Sequence, residues 1–102
     1  MPKTSDVLEV ASNAYKLVLE NDRVRVMELT LRPGDKAPMH NHPNDHVVYI
    51  MNDAKFKLDF LDGKSAEFEL RKGQAIMMDA GSHQTTNIGA SIGRNLVIEL
   101  KK

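Results

Sequence analysis

The chain has 102 residues, enough for one domain, with 41% hydrophobic and 27% charged residues, a balance that argues against disorder. Fourteen basic residues meet fourteen acidic ones, so no electrostatic footprint for nucleic acid or an anionic membrane exists. The absence of cysteine removes disulfides, thiolate metal sites and cysteine nucleophiles together.

Residues 1–14 are weakly patterned and read as an N-terminal arm, frayed or with a short helical turn. No apolar run follows a basic start, so a signal peptide is not expected. No stretch approaches the roughly 18 apolar residues of a membrane helix, and the expected location is cytoplasmic.

Residues 15–102 read as one β domain. Tyr15, Leu17 and Leu19 alternate with Lys16, Val18 and Glu20, and Asn21-Asp22 offers a turn. Residues 23–31 form a long β-rich run whose apolar phase slips between Val26 and Met27, which predicts a bulge there. Arg32-Pro33-Gly34-Asp35 is a turn. Residues 47–51 are continuously apolar, as in a buried strand. Phe56, Leu58 and Phe60, then the Asp62-Gly63 turn, then Ala66, Phe68 and Leu70, form a hairpin. Residues 74–78 make another run, and Leu96, Ile98 and Leu100 close the chain. Eight or nine short strands with turns every 8–12 residues predict an all-β sandwich or barrel.

All four histidines belong to this pattern: His40, His42, His46 and His83. In a strand His40 and His42 point to one face, about 6–7 Å apart at Cα, a good chelating geometry. Pro43, Asn44 and Asp45 form a compact turn that can return His46 beside His42. Imidazole suits Zn, Cu, Fe and Ni. Neutral donors leave such a site positive, so it would attract an anionic ligand or ionise a bound water. Buried imidazoles need partners, and the nearby sequence offers few except each other and a metal.

These residues resemble the two motifs of the cupin family. Gly34, five residues, His40, Asn41, His42, three residues and His46 follow the first, G-x5-H-x-H-x3,4-E-x6-G. His46 stands at the glutamate position and Asp53 at the final glycine. Gly73, Asp79, Gly81, His83 and Asn87 follow the second, G-x5-P-x-G-x2-H-x3-N, with aspartate for proline and one residue missing before the histidine. The likeness covers residues 23–100. It implies an antiparallel double-stranded β-helix, or jelly-roll barrel, holding one divalent transition metal (Fe, Mn, Ni, Zn or Cu) near one mouth. Matched by position, His40, His42 and His83 are the family's histidine ligands and His46 replaces its glutamate.

The leading expectation is a metal-dependent enzyme, oxygenase-like or related, acting on a small organic molecule chelated at the four-histidine site. The alternative is a non-catalytic cupin that binds or senses a metabolite or metal, and a third reading gives the metal a purely stabilising role. No catalytic side chain is assigned beyond the metal site. Arg25, Tyr49, Gln84 and Asn87 are candidates to orient a ligand, although Arg25 suits a solvated strand position, Tyr49 an outer face and Asn87 a turn. Asp79 can bond a ligand histidine or serve a turn. Met27, Met39, Met51, Met77 and Met78 read as barrel filler. Expected partners are a small organic ligand and a second copy of the chain, paired through an outer strand such as residues 15–19.

Overall fold

Period-two runs separated by Asx and glycine turns become nine strands in the computed structural model of the chain, which describes residues 6–101. A single helical turn, α1 (Val7–Val10), precedes β1 (Tyr15–Glu20), β2 (Val24–Leu31), β3 (Lys36–His42), β4 (His46–Ile50), β5 (Ala54–Phe60), β6 (Ser65–Leu70), β7 (Ala75–Met78), β8 (Gly81–Asn87) and β9 (Gly93–Leu100). Five strands form one sheet in the order β1-β2-β9-β4-β7, and four form the other in the order β3-β8-β5-β6. Every strand pairing is antiparallel. This is the expected all-β jelly roll, with side chains of the two inner faces filling the space between the sheets. Among the described residues no helix is long and apolar enough to cross a membrane.

The turns act through the chemistry their residues imply. Asn21 Oδ1 accepts from the N–H groups of Arg23 and Val24 at 2.7 and 2.9 Å. Gly34 supplies a φ of 87° in the turn before β3. Asn87 closes the β8–β9 connection: its Nδ2 donates to the carbonyls of Leu31 and Ser91, and its Oδ1 accepts from Gly89 N–H. That role is structural, not ligand-orienting.

Four expectations change. The bulge opposite Val26 and Met27 exists, but the extra residue is Val18 on β1: Leu17 faces Met27 and Leu19 faces Val26. β2 itself keeps one phase, turning Met27, Leu29 and Leu31 into the core. β4 is buried only at His46 and Ile50, and Tyr49 is exposed on the outer face. β9 inverts the ordinary rule, because Asn95, Val97 and Glu99 face inward while Leu96, Ile98 and Leu100 face outward. Not every methionine is filler: Met27 is fully buried, but Met77 is 60% exposed.

α1 packs on the barrel, with Val7 and Ala11 fully buried in the same core. Asp6 caps it, accepting from Leu8 N–H at 3.2 Å, and forms a bridge to Asn41, between two of the histidines. Residues 1–5 of the expected arm lie outside the described residues.

Candidate metal centre

The two sheets each contribute to one cluster of rings. β3 carries His40 and His42 on its inner face, and His40 pairs in register with His83 of β8. Residues 43–45 carry the chain across to the other sheet, where His46 opens β4. The donor nitrogens of His40, His42 and His83 lie within 4.8 Å of one another, and all three residues are buried. His40 and His83 meet edge to face with centroids 4.8 Å apart. His46 is equally buried and stacks on His42 at 4.2 Å, but its ring stands 6.4 Å from that of His83.

The outward ring nitrogens of His40, His42 and His46 are spoken for. His40 Nδ1 donates to Pro38 O at 2.6 Å and His46 Nδ1 to Asn44 O at 3.0 Å. His42 Nδ1 donates to Glu99 Oε2 at 2.8 Å. Carbonyl and carboxylate oxygens only accept, so each of these nitrogens carries the proton, and a neutral imidazole has only one. Each Nε2 is therefore a lone pair. The Nε2 atoms of His40 and His42 face each other at 3.1 Å, which no hydrogen bond between two acceptors explains. Extra protons are resisted. Burial, reinforced by the neighbouring histidines, lowers His42 to about 2 and His83 to about 3. Burial lowers His40 as well, against its bond to Pro38. Lone pairs converging on one point suit a cation. Two nitrogens about 2.1 Å from a common ion, meeting it at a right angle, stand about 3 Å apart. The residues present fit a divalent metal.

Behind His42 runs a row of charge that the sequence reading missed. Glu99 is 1% exposed and takes Arg25 Nε and Nη2 on Oε1 at 2.9 and 2.8 Å. Arg25 reaches on to both oxygens of Asp6 at 3.1 Å. Burial pushes the Glu99 carboxyl up, and the Arg25 guanidinium holds it back. Asp6, Arg25 and Glu99 together carry one net negative charge, which half-compensates a divalent ion and leaves the site attractive to an anionic oxygen ligand. Arg25 is thus neither solvated nor a ligand-orienting residue. Asp79 is exposed, and Glu99 takes the place beside a histidine foreseen for it. Gln84 turns from the interior toward Asp59, 3.4 Å away. A charged residue in the inward phase of each of two neighbouring strands, Arg25 opposite Glu99 in register, was the available signal.

A cavity of about 60 Å³ lies between the sheets, bounded at one end by His42, His46 and His83 and walled by apolar side chains such as Val48, Leu58 and Phe68. Among the described residues, no Asp, Glu, Lys or Arg lines it. Outside, a hollow of about 350 Å³ is lined by Phe60, Met77, Met78, Ala80 and His83. Met78 and His83 belong to both spaces and form the partition between them. Tyr15 packs its ring edge against His40 and His42 at 5.2 and 5.9 Å.

The fold has counterparts among solved structures. A cupin domain from Bordetella pertussis Tohama I superposes with a TM-score of 0.78 at 26% identity, over 86% of this chain and 92% of its own. An RmlC-like cupin family protein with a double-stranded β-helix fold, from Methanocaldococcus jannaschii, gives 0.70 at 15% identity over 85% and 78%. The polyketide cyclase RemF from Streptomyces resistomycificus gives 0.63 at 21% identity over 86% and 64%. No family model matches the sequence, and no curated protein matches it significantly. The fold is the cupin double-stranded β-helix.

Proposed function

We propose that this cupin-fold chain holds one divalent transition metal through His40, His42, His46 and His83, and that it is a metal-dependent, oxygenase-like enzyme acting on a small organic molecule. One observation carries the reading: Nε2 lone pairs of His40 and His42 face each other at 3.1 Å while both outward nitrogens are committed to acceptors. His46 fits as the fourth ligand because its Nδ1 is committed likewise, leaving Nε2 free. Fe, Mn, Ni, Zn and Cu all suit such donors.

A bound ion of this kind polarises the oxygens of its ligand and, where redox-active, exchanges electrons with it. The chain's own residues hold the ligand and exclude water. Beyond the proposed metal ligands they offer the cavity no base, because among the described residues its lining contains no carboxylate or lysine. Burial and the charge of Glu99 push the Tyr15 phenol well up, so it stays a neutral donor. The same lack of a side-chain base favours the second reading, a binding or sensing module without turnover.

Oxygen uptake by Fe(II)-reconstituted protein, measured with a panel of diketones, thiols and phenols, separates the two. Uptake with a panel member that disappears in His40→Ala/His42→Ala supports the enzyme. Ligand-dependent thermal stabilisation without uptake supports the module. Neither response overturns both.

We infer a homodimer from the outer face of the five-stranded sheet. In register across it run Met77, Val47, Ile98, Val26 and Leu19, beside Tyr49, Leu96, Leu100 and Val24. Five strands of four to eight residues, about 4.8 Å apart, present roughly 500 Å². That is over half of the roughly 800 Å² per partner of a standard interface.

A further inference from the structure

Among the described residues, one buried side-chain polar atom outside the histidine cluster has no hydrogen-bond partner: Asn95 Oδ1. Its neighbours in kind are satisfied. Asn87 uses its amide three times, and Glu99 is held by Arg25 and His42. Leaving such an oxygen unpaired in an apolar interior costs about 1–3 kcal/mol, and outside the histidine cluster the interior satisfies its other polar side chains, which makes the exception informative.

Asn95 is 2% exposed and lines the same cavity as His42, His46 and His83. It lies on the inner phase of β9 with Val97 and Glu99. It lies four positions from Glu99, about 13 Å along the strand at Cα. Its register partners, Leu29 and Ile50, have no polar side-chain atom to offer. The cavity therefore has histidines toward one end and the Asn95 amide toward the other, with a mostly apolar lining between them that also includes Tyr15 and Thr85.

We propose that Asn95 determines which ligand the metal site accepts. The ligand has an anionic oxygen head that binds the metal, a short slender apolar body, and an uncharged hydrogen-bond donor, a hydroxyl or amide N–H, that reaches Asn95 Oδ1. This inference rests on the metal-site reading above. The head follows from the net positive charge left on an occupied site. The slender body follows from the 60 Å³ available. The donor is uncharged because, among the described residues, no carboxylate lines the cavity to receive an ammonium group.

The test uses Co(II)-loaded protein and calorimetric titration with two matched hydroxamate series. One consists of ω-hydroxyalkyl hydroxamates with two to four methylenes. The other consists of alkyl hydroxamates with the same number of heavy atoms, a methyl replacing the hydroxyl. At one chain length the hydroxyl compound is expected to bind wild type about tenfold or more tighter than its partner. In Asn95→Leu the preference vanishes or reverses, while cobalt stoichiometry is unchanged and the ligand-free melting temperature does not fall. Asn95→Ala provides the same comparison if the leucine variant does not fold. Equal affinities within every wild-type pair, or a hydroxyl preference that survives substitution, overturn the proposal and leave Asn95 holding a buried water only. Cobalt binding with no hydroxamate bound also overturns it. Failure of wild type to bind cobalt at all overturns the metal reading first, a distinguishable result.

Discussion

A histidine ligates through a nitrogen whose lone pair is free, so the fate of the other nitrogen decides whether it can act. Here Pro38 O, Asn44 O and Glu99 decide it for His40, His46 and His42. The spacing of His40, His42 and His46 was legible as a chelating cluster because strand parity places side chains without any knowledge of packing. The partner that orients His42 was not, because Glu99 lies 57 residues away in sequence and only the β2–β9–β4 register brings it there. Its role has a measurable consequence. Glu99→Gln keeps the shape but removes the charge facing His42 and Arg25. Zinc affinity, measured by competition with a chromogenic chelator, is expected to fall about 10–100-fold. Unchanged affinity would remove Glu99 from the account.

At the scale of elements, the strands were readable where one face is apolar and the other polar, as in β5 and β6. The reading failed where function reverses that rule. β9 turns Asn95 and Glu99 inward and Leu96, Ile98 and Leu100 outward, so its apolar alternation pointed to the wrong face. α1 was foreseen only as one alternative for the arm, a short helical turn, because four residues carry no helical period, yet it ties this segment to the site. Asp6 caps the turn, bridges to Asn41 and pairs with Arg25. Partial burial pushes its carboxyl up. Hydrogen bonds from Arg25 and Leu8, with the charge of Arg25, outweigh that and hold it below its ordinary value near 3.8. A carboxyl whose folded value is lowered contributes stability above its unfolded value and loses it as pH falls through the folded one. The Asp6 contribution is therefore whole above about pH 3.8 and drains below it. Urea unfolding across pH 2.5–6 (roughly spanning that window) is expected to show Asp6→Asn less stable than wild type above it, with the gap closing as pH falls. A gap independent of pH would mean that the Asp6 charge does not anchor α1.

For the whole molecule, two sheets enclose a site closed by buried rings at one end and leave one broad apolar face outside. Leu19, Val18, Tyr49 and Met77 are 51%, 55%, 42% and 60% exposed on that sheet, more than a solitary monomer ordinarily shows on one face. Sedimentation across micromolar concentrations is expected to give a dimer, shifted toward monomer by Leu19→Lys/Met77→Lys; a wild-type monomer throughout would refute the pairing. The central claim, however, is that four imidazoles from two stretches of chain hold one ion. Elemental analysis of untagged protein tests it most directly. One divalent transition metal per wild-type chain, and none in His40→Ala/His42→Ala that remains folded, is the result expected. Wild-type protein that is metal-free and takes up no equivalent of Fe, Mn, Ni, Cu or Zn, or a double variant that retains full occupancy, would contradict it.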